Sequence, residues 1–280
     1  MKTNLIIQGA ELATQDLKQL AKLSSAARIE AINQQAFRLV DADPASKEAV
    51  AAHCKDAQLD YGFMPQSRKL TDFGLVVMDM DSTLITIECI DEIADMMGLK
   101  PQVAAITASA MRGEIDFQAS LRKRVGLLDD LPENALERVY QERLRLSSGA
   151  ETFLSTLKSA RIKTLLVSGG FTFFTSRLKD RLHLDYTASN QLEIVDGKLT
   201  GKVLGDIVDA DAKAAWLIKT RDQLGLSPEQ VIAIGDGAND LKMMAEAGVS
   251  IAYRAKAVVQ EKAGYALNFV GLDGVLPLLG

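Results

Sequence analysis

The chain has 280 residues, with 32 lysines and arginines against 37 aspartates and glutamates, which gives a formal net charge of −5. Because 48% of the residues are hydrophobic and 25% are charged, the composition excludes a disordered or collagen-like chain. The mild negative charge argues against nonspecific binding to nucleic acid or to a membrane surface.

Cysteine content and hydrophobic runs predict a cytoplasmic location. Cys54 and Cys89 cannot form a multi-disulfide framework, and two histidines are too few for a Cys/His zinc site. The first residues, MKTNLIIQGAEL, lack the roughly 7 to 15 apolar residues of a signal peptide. No stretch approaches the roughly 18 apolar residues of a membrane span. We therefore expect no nucleic-acid partner and no membrane partner.

Residues 1–70 are predicted to form a small N-terminal α+β domain. Its pattern alternates an apolar run in NLIIQG, a helix in TQDLKQLAKL, an extended stretch in ARIEAINQQAFRLVDA and a second helix in SKEAVAAHCKDAQLDYGF. The polar stretch that starts at Pro65 is typical of a linker, which places the boundary near Lys69.

Residues 71–280 are predicted to form the larger domain. The run FGLVVMDMD is typical of a strand buried on both faces, and similar runs recur in KTLLVSGG, VIAIGDG and, more weakly, VSIAY and ALNFV. Helical patterns separate these runs. This alternation predicts an α/β fold with a doubly wound parallel sheet.

Two segments interrupt the α/β alternation. Residues 87–148 contain no strand-like run, and apolar residues from Ile90 to Met97 lie on one helical face, so we predict an inserted helical cap. The segment NQLEIVDGKLTGKVL contains two β-like runs around Asp196 and Gly197, a pair that favours a tight hairpin turn.

Polar residues follow the strongest predicted strands. In open α/β sheets, ligands bind beyond the carboxyl ends of the strands, so these side chains are expected to converge on one crevice. The residues are Asp79, Asp81, Ser168, Gly169, Gly170, Asp236 and Asp240.

The four carboxylates of this set predict a metal site. Crowded carboxylates repel one another unless a cation or a shared proton offsets the charge. Oxygen donors without histidine or cysteine suit a hard ion such as Mg²⁺, with Asp79 and Asp236 as the expected side-chain ligands.

A phosphate site is expected beside the metal. Ser168 can donate its hydroxyl, Gly169 allows close backbone approach, and the N–H groups of the following helix point at an anion. Lys213 can neutralise a transferring phosphoryl group. Taken singly, each signal has a simpler interpretation as a solvated turn, a flexible corner or an exposed helix face. Their occurrence in order at the ends of one predicted sheet favours function.

These motifs resemble a known superfamily. DMDSTLI, VSGGF, the element around Lys213 and GDGAND resemble the four motifs of the haloacid dehalogenase-like superfamily. Within it, the predicted cap sequences IECIDEIADMMG and MRGEIDFQASLRKRVGLL resemble those of the phosphoserine phosphatase family. The resemblance covers about residues 72–280.

The resemblance implies a role for each motif residue. Asp79 would be the nucleophile that becomes an aspartyl phosphate, and Asp81 the proton donor and acceptor. Mg²⁺ would be held by Asp79, the backbone carbonyl of Asp81, and Asp236. The remaining implied roles are support of the metal ligands by Asp240, phosphate binding by Ser168, Gly169 and Lys213, and substrate positioning by Asn239.

The cap residues would recognise the seryl end of the substrate. By resemblance, Glu88 binds its ammonium group and Arg124 its carboxylate, while Met111 and Phe117 form apolar walls. The simpler alternative for Glu88 and Arg124 is a surface ion pair. Arg122 is about 200° away from Arg124 around a helix and is expected to be solvated.

The resemblance therefore implies a Mg²⁺-dependent phosphatase that hydrolyses O-phosphoserine to serine and phosphate, the last step of serine biosynthesis. One alternative is a phosphatase or phosphotransferase that acts on another small phosphomonoester. Another is an amino-acid-sensing role for the N-terminal domain, whose pattern is similar to a shortened ACT domain. A packing or dimerisation role for that domain is the simpler interpretation, and a homodimer is one expected assembly.

Overall fold

A computed structural model describes residues 2–279, which form two separate β-sheets. We call residues 2–69 the N-terminal unit. Its elements are β1 (Thr3–Gln8), α1 (Thr14–Leu23), β2 (Arg28–Asn33), β3 (Ala36–Val40), α2 (Lys47–Asp56) and β4 (Asp60–Pro65). The strands form an antiparallel sheet in the order β2-β3-β1-β4. Whether residues 1–70 form a separate domain stays a prediction.

The central strand β1 shows how the N-terminal unit acquires two apolar faces. Leu5 and Ile7 pack with Leu20 of α1 and Val50 of α2 in a small core. Ile6 points to the opposite face, because successive side chains alternate along a strand, and it joins the main core of the chain. The sheet of the N-terminal unit is therefore clamped between its own helices and the larger part of the molecule.

The second predicted helix of the N-terminal unit is wrong in its last part. Helix α2 ends at Asp56, Gln58 adopts a left-handed backbone with φ of 55°, and the segment DYGF belongs to β4 instead. Strand β4 pairs with β1 along its whole length. A partner strand more than fifty residues away therefore overrides the local helical pattern.

The cap segment, residues 87–148, is helical as predicted. The chain enters and leaves the cap segment through two adjacent stretches that are hydrogen-bonded to each other. The N–H of Thr86 donates to the carbonyl of Arg145 at 2.9 Å, and the N–H of Ser147 donates to the carbonyl of Leu84 at 3.0 Å. The helices are α3 (Cys89–Met96), α4 (Lys100–Met111), α5 (Phe117–Gly126) and α6 (Asn134–Arg138), followed by a π-helical turn at Val139–Arg143.

The second sheet has seven strands and confirms the predicted α/β fold. The strands are β5 (Leu75–Met78), β6 (Lys163–Phe171), β7 (Tyr186–Val195), β8 (Lys198–Leu204), β9 (Val231–Gly235), β10 (Val249–Tyr253) and β11 (Tyr265–Leu267). Their order is β11-β10-β9-β5-β6-β7-β8, and every neighbouring pair is parallel except β7 and β8.

Helices cover both faces of this sheet. Side chains of β5 alternate between two apolar clusters, with Val76 and Met78 in one and Leu75 and Val77 in the other. None of the helices described for residues 2–279 combines the length and hydrophobicity needed to cross a membrane. The remaining helices are α7 (Ala150–Ser159), α8 (Thr172–Leu182), α9 (Ala210–Gln223), α10 (Leu241–Ala245), α11 (Ala257–Lys262) and α12 (Val275–Leu278).

The predicted hairpin is confirmed and joins the cap segment. Asp196 and Gly197 both have positive φ, 51° and 74°, as a type I′ turn between β7 and β8 requires. The N–H of Asp130 donates to the carbonyl of Leu199 at 2.9 Å, and the N–H of Leu199 donates to that of Leu131 at 2.8 Å. The far end of the cap segment therefore rests on this hairpin.

A buried carboxylate fastens the N-terminal unit to the larger sheet. Asp60, at the start of β4, is only 2% exposed. Its carboxylate accepts three main-chain hydrogen bonds, from Asn268, Phe269 and Val270, at 2.7, 2.8 and 3.0 Å. These donors follow β11 directly, so the contact ties β4 to the edge of the seven-stranded sheet.

Candidate active site

A cavity of about 560 Å³ lies at the carboxyl ends of β5, β6 and β9, below α4 and α5. The structure therefore brings predicted residues of the sheet and of the cap segment to one place. Ser168, Lys213 and Asp240 are buried close to the cavity floor. The predicted residues that line the cavity are Asp79, Asp81, Glu88, Met111, Phe117, Arg124, Gly169, Gly170, Asp236 and Asn239.

Lys213, on α9, joins two carboxylates at the floor of the cavity. Its Nζ lies 2.8 Å from Oδ1 of Asp79 and 2.8 Å from Oδ1 of Asp240, and the residue is only 1% exposed. Burial by itself lowers the pKa of a lysine, but the two carboxylates outweigh burial and raise the pKa of Lys213. Lys213 is therefore a fixed positive charge at neutral pH.

Asp79 follows the last residue of β5, and both of its described polar contacts are made by the same carboxylate oxygen, Oδ1. Its Oδ1 accepts the N–H of Met80 at 2.7 Å as well as the ammonium of Lys213. Burial, followed by the nearby charge of Asp240, raises the pKa of Asp79 well above its ordinary value, although Lys213 opposes the shift. One lysine is therefore not enough to offset the negative charge that is crowded here.

Three carboxylates form a group that fits a divalent cation. Asp79, Asp236 and Asp240 each offer an oxygen, and these oxygens lie within 4.8 Å of one another. Burial and the charge of Asp240 also raise the pKa of Asp236, to about 6. An oxygen-only set with excess negative charge matches the donor preference of a hard metal ion.

Two neighbours orient the ends of this group. The hydroxyl of Thr83 donates to Oδ1 of Asp236 at 3.3 Å. Oδ2 of Asp240 accepts the N–H of Gly237 at 3.0 Å, while its Oδ1 is bound to Lys213. Both oxygens of Asp240 therefore already have protein partners, which is consistent with the supporting role that the resemblance implies.

Asp81 is placed by a wide turn between β5 and the cap segment. The turn spans Met80–Leu84 and contains Ser82 in a left-handed backbone with φ of 55°. Burial, and then the negative charge of Glu88, raises the pKa of Asp81 to about 7, against the opposing hydrogen bond from the N–H of Cys89 at 3.0 Å. A carboxyl group with this pKa can both donate and accept a proton near neutrality.

The end of β6 forms a corner that leads into α8. The hydroxyl oxygen of Ser168 accepts the N–H of Gly170 at 2.8 Å, and α8 begins two residues later. The first turn of a helix leaves N–H groups without intrahelical partners, which favours an anion there. A Cβ on Gly170 would lie 2.8 Å from Oδ2 of Asp81, so a side chain at this position would collide with the cavity floor.

Sequence reasoning missed Asn190, which holds this corner from behind. Asn190 is 1% exposed, its Nδ2 donates to the carbonyl of Gly169 at 2.7 Å, and its Oδ1 accepts the N–H of Val208 at 2.8 Å. A buried asparagine therefore connects β6 with the segment that leads into α9. The only signal in the sequence is a polar residue inside a β-like run.

Arg124 and Glu88 face the cavity from the cap segment. Arg124 lies in the last turn of α5, and its Nε is buried without a hydrogen-bond partner among residues 2–279. Burial lowers the pKa of Arg124, although Asp91, Glu88 and Asp81 oppose the shift. Glu88 accepts the hydroxyl of Ser82 at 2.7 Å.

The remaining cap residues differ in exposure. Met111 is 75% exposed at the mouth of the cavity. Phe117 lies deeper, and its ring packs against Gly169: a Cβ added to Gly169 would lie only 3.0 Å from the ring. Arg122 is exposed, as predicted for a solvated position.

Comparison with known proteins identifies the family. Residues 73–248 match the family model described as haloacid dehalogenase-like hydrolase. The chain belongs to the haloacid dehalogenase-like hydrolases. The resemblance inferred from the four motifs is thereby confirmed, and the protein is a hydrolase. Residues 5–50 match a domain of unknown function.

Individual relatives cover the chain to different extents. A protein of Polaromonas sp. named phosphoserine phosphatase is 56% identical over 216 residues, which are 75% of this chain and 92% of that protein. The structure of a haloacid dehalogenase family hydrolase from Salmonella enterica serovar Typhi is 34% identical and covers 99% of this chain and 98% of its own, with a TM-score of 0.91. The structure of a probable phosphoserine phosphatase from Vibrio cholerae is 40% identical, with a TM-score of 0.85. The match covers 99% of this chain and 86% of that one.

Proposed function

We propose that this chain is a Mg²⁺-dependent phosphatase that hydrolyses O-phosphoserine to serine and phosphate. The observation that carries the proposal is the composition of one cavity. Asp79 and Asp81 lie on its floor with Lys213 directly beneath, and its roof contains Arg124, whose buried Nε has no hydrogen-bond partner among residues 2–279. The floor suits a phosphoryl group and the roof suits a carboxylate. The names of the relatives support phosphoserine as the molecule that carries both groups.

The metal ligands would be Asp79, Asp236 and the backbone carbonyl of Asp81, with Asp240 as their support. When bound, Mg²⁺ would screen the negative charge that a phosphomonoester brings toward these carboxylates. We propose Mg²⁺ rather than a softer ion because all candidate donors are oxygens.

Asp79 would attack phosphorus in the first step. Its Oδ1 is engaged by Met80 and Lys213, which leaves Oδ2 as the oxygen that forms the new bond. As the Oδ2–P bond forms, the bond from phosphorus to the seryl oxygen breaks, and Asp81 donates its proton to that oxygen. Serine leaves, and the phosphoryl group remains on Asp79 as an aspartyl phosphate.

A water molecule would complete the reaction in a second step. Asp81, now ionised, takes a proton from the water as its oxygen attacks phosphorus, and the bond to Asp79 breaks. The raised pKa of Asp81, about 7, suits a group that must hold a proton in one step and accept one in the next. Lys213, Ser168 and the N–H groups at the start of α8 would hold the phosphoryl oxygens in both steps, with Asn239 positioning the substrate.

The cap segment would supply specificity for the seryl part. Arg124 can pair with the substrate carboxylate through a bidentate contact, which would also give its buried Nε a partner. Glu88 would accept the ammonium group, and Met111 and Phe117 would enclose the apolar atoms. A small phosphomonoester without the amino-acid end would lose these contacts, which disfavours substrates of that kind.

Phosphate release from O-phosphoserine, O-phosphothreonine and p-nitrophenyl phosphate tests the proposal. We expect the highest kcat/KM with O-phosphoserine, loss of activity in EDTA and recovery with added Mg²⁺. A higher kcat/KM for either other ester would replace the proposed substrate. Activity that survives complete metal removal would overturn the metal assignment.

The nucleophile has a separate test. Asp79→Asn should lower kcat by at least about 1,000-fold, because an amide cannot form the acyl phosphate, and no acid-stable phosphoenzyme should accumulate. An Asp79→Asn protein with normal turnover would reject Asp79 as the nucleophile.

We further propose a cytoplasmic location and a homodimer. Cys54 and Cys89 are both buried free thiols, which is consistent with a reducing compartment. Light scattering of the purified chain tests the dimer, and a monomer at micromolar concentration would reject it.

A further inference from the structure

Next to the cavity-lining residue Phe117, the cap segment contacts the loop before α9. Nε2 of Gln118, in the first turn of α5, donates a hydrogen bond to Oδ2 of Asp209 at 2.7 Å. Gln118 is exposed and Asp209 is partly exposed, so solvent reaches the bond. The cap segment and the core thus share a polar contact that can break without exposing either apolar core.

This bond lies beside the contact between Phe117 and Gly169, which both line the cavity. A Cβ on Gly169 would lie 3.0 Å from the ring of Phe117 and 3.6 Å from the carbonyl of Val208. Phe117 directly precedes Gln118, and Val208 directly precedes Asp209. The hydrogen bond therefore joins the two chain segments that flank Gly169.

Asp209 is held rigidly on the core side. Its Oδ1 accepts the N–H groups of Asp211 and Ala212 and so caps α9, and its carbonyl accepts the N–H of Lys213 at 2.9 Å. Only Oδ2 is used by Gln118. The cap segment therefore docks on the same residue that sets the start of the helix carrying Lys213.

Two other polar contacts of the cap segment lie at the cavity, but both are at the stretch where the chain enters the cap segment: the N–H of Cys89 donates to Asp81 and the hydroxyl of Ser82 donates to Glu88. Further contacts lie away from the cavity. The backbone bonds of Asp130 and Leu131 reach the hairpin of β7 and β8, and Glu137 pairs with Arg177 of α8 at 3.2 Å. These contacts hold the far end of the cap segment. Gln118 is the polar contact next to Phe117.

We propose that the Gln118–Asp209 hydrogen bond is a latch that holds α5 over the cavity, and that Gln118 is a positioning residue acting through Phe117. The inference rests on the proposed function for the identity of the substrate. With the latch broken, the cap segment spends more time open and the substrate is held less tightly. The consequence falls on KM more than on kcat, because the groups that transfer the phosphoryl group are untouched.

Gln118→Ala removes the donor, and Gln118→Glu places a carboxylate against Asp209. We expect KM for O-phosphoserine to rise about three- to tenfold in Gln118→Glu and less in Gln118→Ala, with kcat changed by less than about twofold. Gln102→Ala and Gln102→Glu are matched controls, because Gln102 is an exposed glutamine on α4 and its side chain forms no bond with the residues described. The melting temperature should be unchanged in all four variants.

Asp209→Asn provides a rescue that a merely structural contact would not show. An asparagine at this position can keep its side-chain oxygen on the N–H groups of α9 and donate its amide to the carboxylate that Gln118→Glu introduces. The double variant Gln118→Glu/Asp209→Asn should therefore recover the KM of the unmodified chain within about twofold. A double variant no better than Gln118→Glu would overturn the latch. Equal KM values for Gln118→Glu and Gln102→Glu would overturn it as well.

Hydrogen exchange separates the latch from the proposed reaction. Amides of residues 112–120 should exchange faster in Gln118→Glu than in Gln102→Glu, with no substrate present. If they do, while the unmodified chain fails to hydrolyse O-phosphoserine, the proposed function is wrong and the latch stands. Equal exchange in the two variants would reject the latch, whichever substrate the chain turns over.

Discussion

The N-terminal unit and the cap segment both pack on the seven-stranded sheet, but they bury charge in opposite ways. Asp60 of the N-terminal unit is 2% exposed and is satisfied by three main-chain N–H groups. Arg124 of the cap segment has a buried Nε without a partner among the described residues. A satisfied buried charge indicates a permanent contact, whereas an unsatisfied one beside a cavity indicates a place for a ligand.

The comparison predicts that the two charges are separable by experiment. Substitution of Asp60 should lower stability and leave binding alone, and substitution of Arg124 should do the reverse. Asn190 tests which property matters, because its hydrogen bonds are satisfied like those of Asp60, but it holds Gly169, which lines the cavity as Arg124 does.

The largest effect is expected for Asp60→Ala. Removing the carboxylate leaves three main-chain N–H groups without their acceptor, which should lower the free energy of unfolding by about 3 to 5 kcal/mol in urea denaturation. The control is Asp56→Ala, an exposed aspartate at the end of α2. A stable Asp60→Ala protein with a raised KM for O-phosphoserine would break the comparison and favour a regulatory N-terminal unit.

Arg124→Ala should have the next largest effect, and on a different quantity. Loss of a charge-assisted bidentate contact should raise KM for O-phosphoserine about 30- to 100-fold, or about 2 to 3 kcal/mol. KM for p-nitrophenyl phosphate, which has no carboxylate, should change by less than about threefold. Arg122→Ala is the matched control on the same helix. Equal effects on both substrates would reject Arg124 as the carboxylate contact.

Asn190→Ala should show a smaller, mixed effect. Because Asn190 holds the carbonyl of Gly169 and the N–H of Val208, we expect about a tenfold loss of kcat/KM for both substrates and about 1 to 2 kcal/mol of stability. Steady-state kinetics and denaturation of the same preparation check this. If only stability falls, Asn190 belongs with Asp60 as a fold contact and does not position the phosphate corner.

The site residues that the sequence predicted lie at strand ends, whereas the residue that it missed depends on a contact between two strands. Asp79, Ser168 and Asp236 were predicted together because the carboxyl ends of neighbouring parallel strands meet at one edge of a sheet. Asn190 was missed because its role depends on a β6–β7 contact that no local pattern shows. The roles assigned to the predicted residues stay proposals, although the structure places their side chains around one cavity.

The error in the N-terminal unit has the same physical origin. The segment DYGF continues an apolar pattern that fits a helix, yet it forms β4 because β1 offers it a complete set of backbone partners. The free-energy differences between residues in helix or strand propensity are smaller than the free energy gained from strand pairing together with burial. Pairing between strands far apart in the sequence therefore decided this element.

The sequence by itself determined the alternation of strands and helices, the four motifs and the insertion of a helical cap, because these follow from periodicity and from residue types at strand ends. Only the tertiary structure decided that Asp60 binds main-chain groups 208 to 210 residues away, that the hairpin supports the cap segment, and that Gln118 reaches Asp209. Each of these contacts joins polar groups that carry no distinctive pattern in their own segments, and only folding makes them neighbours.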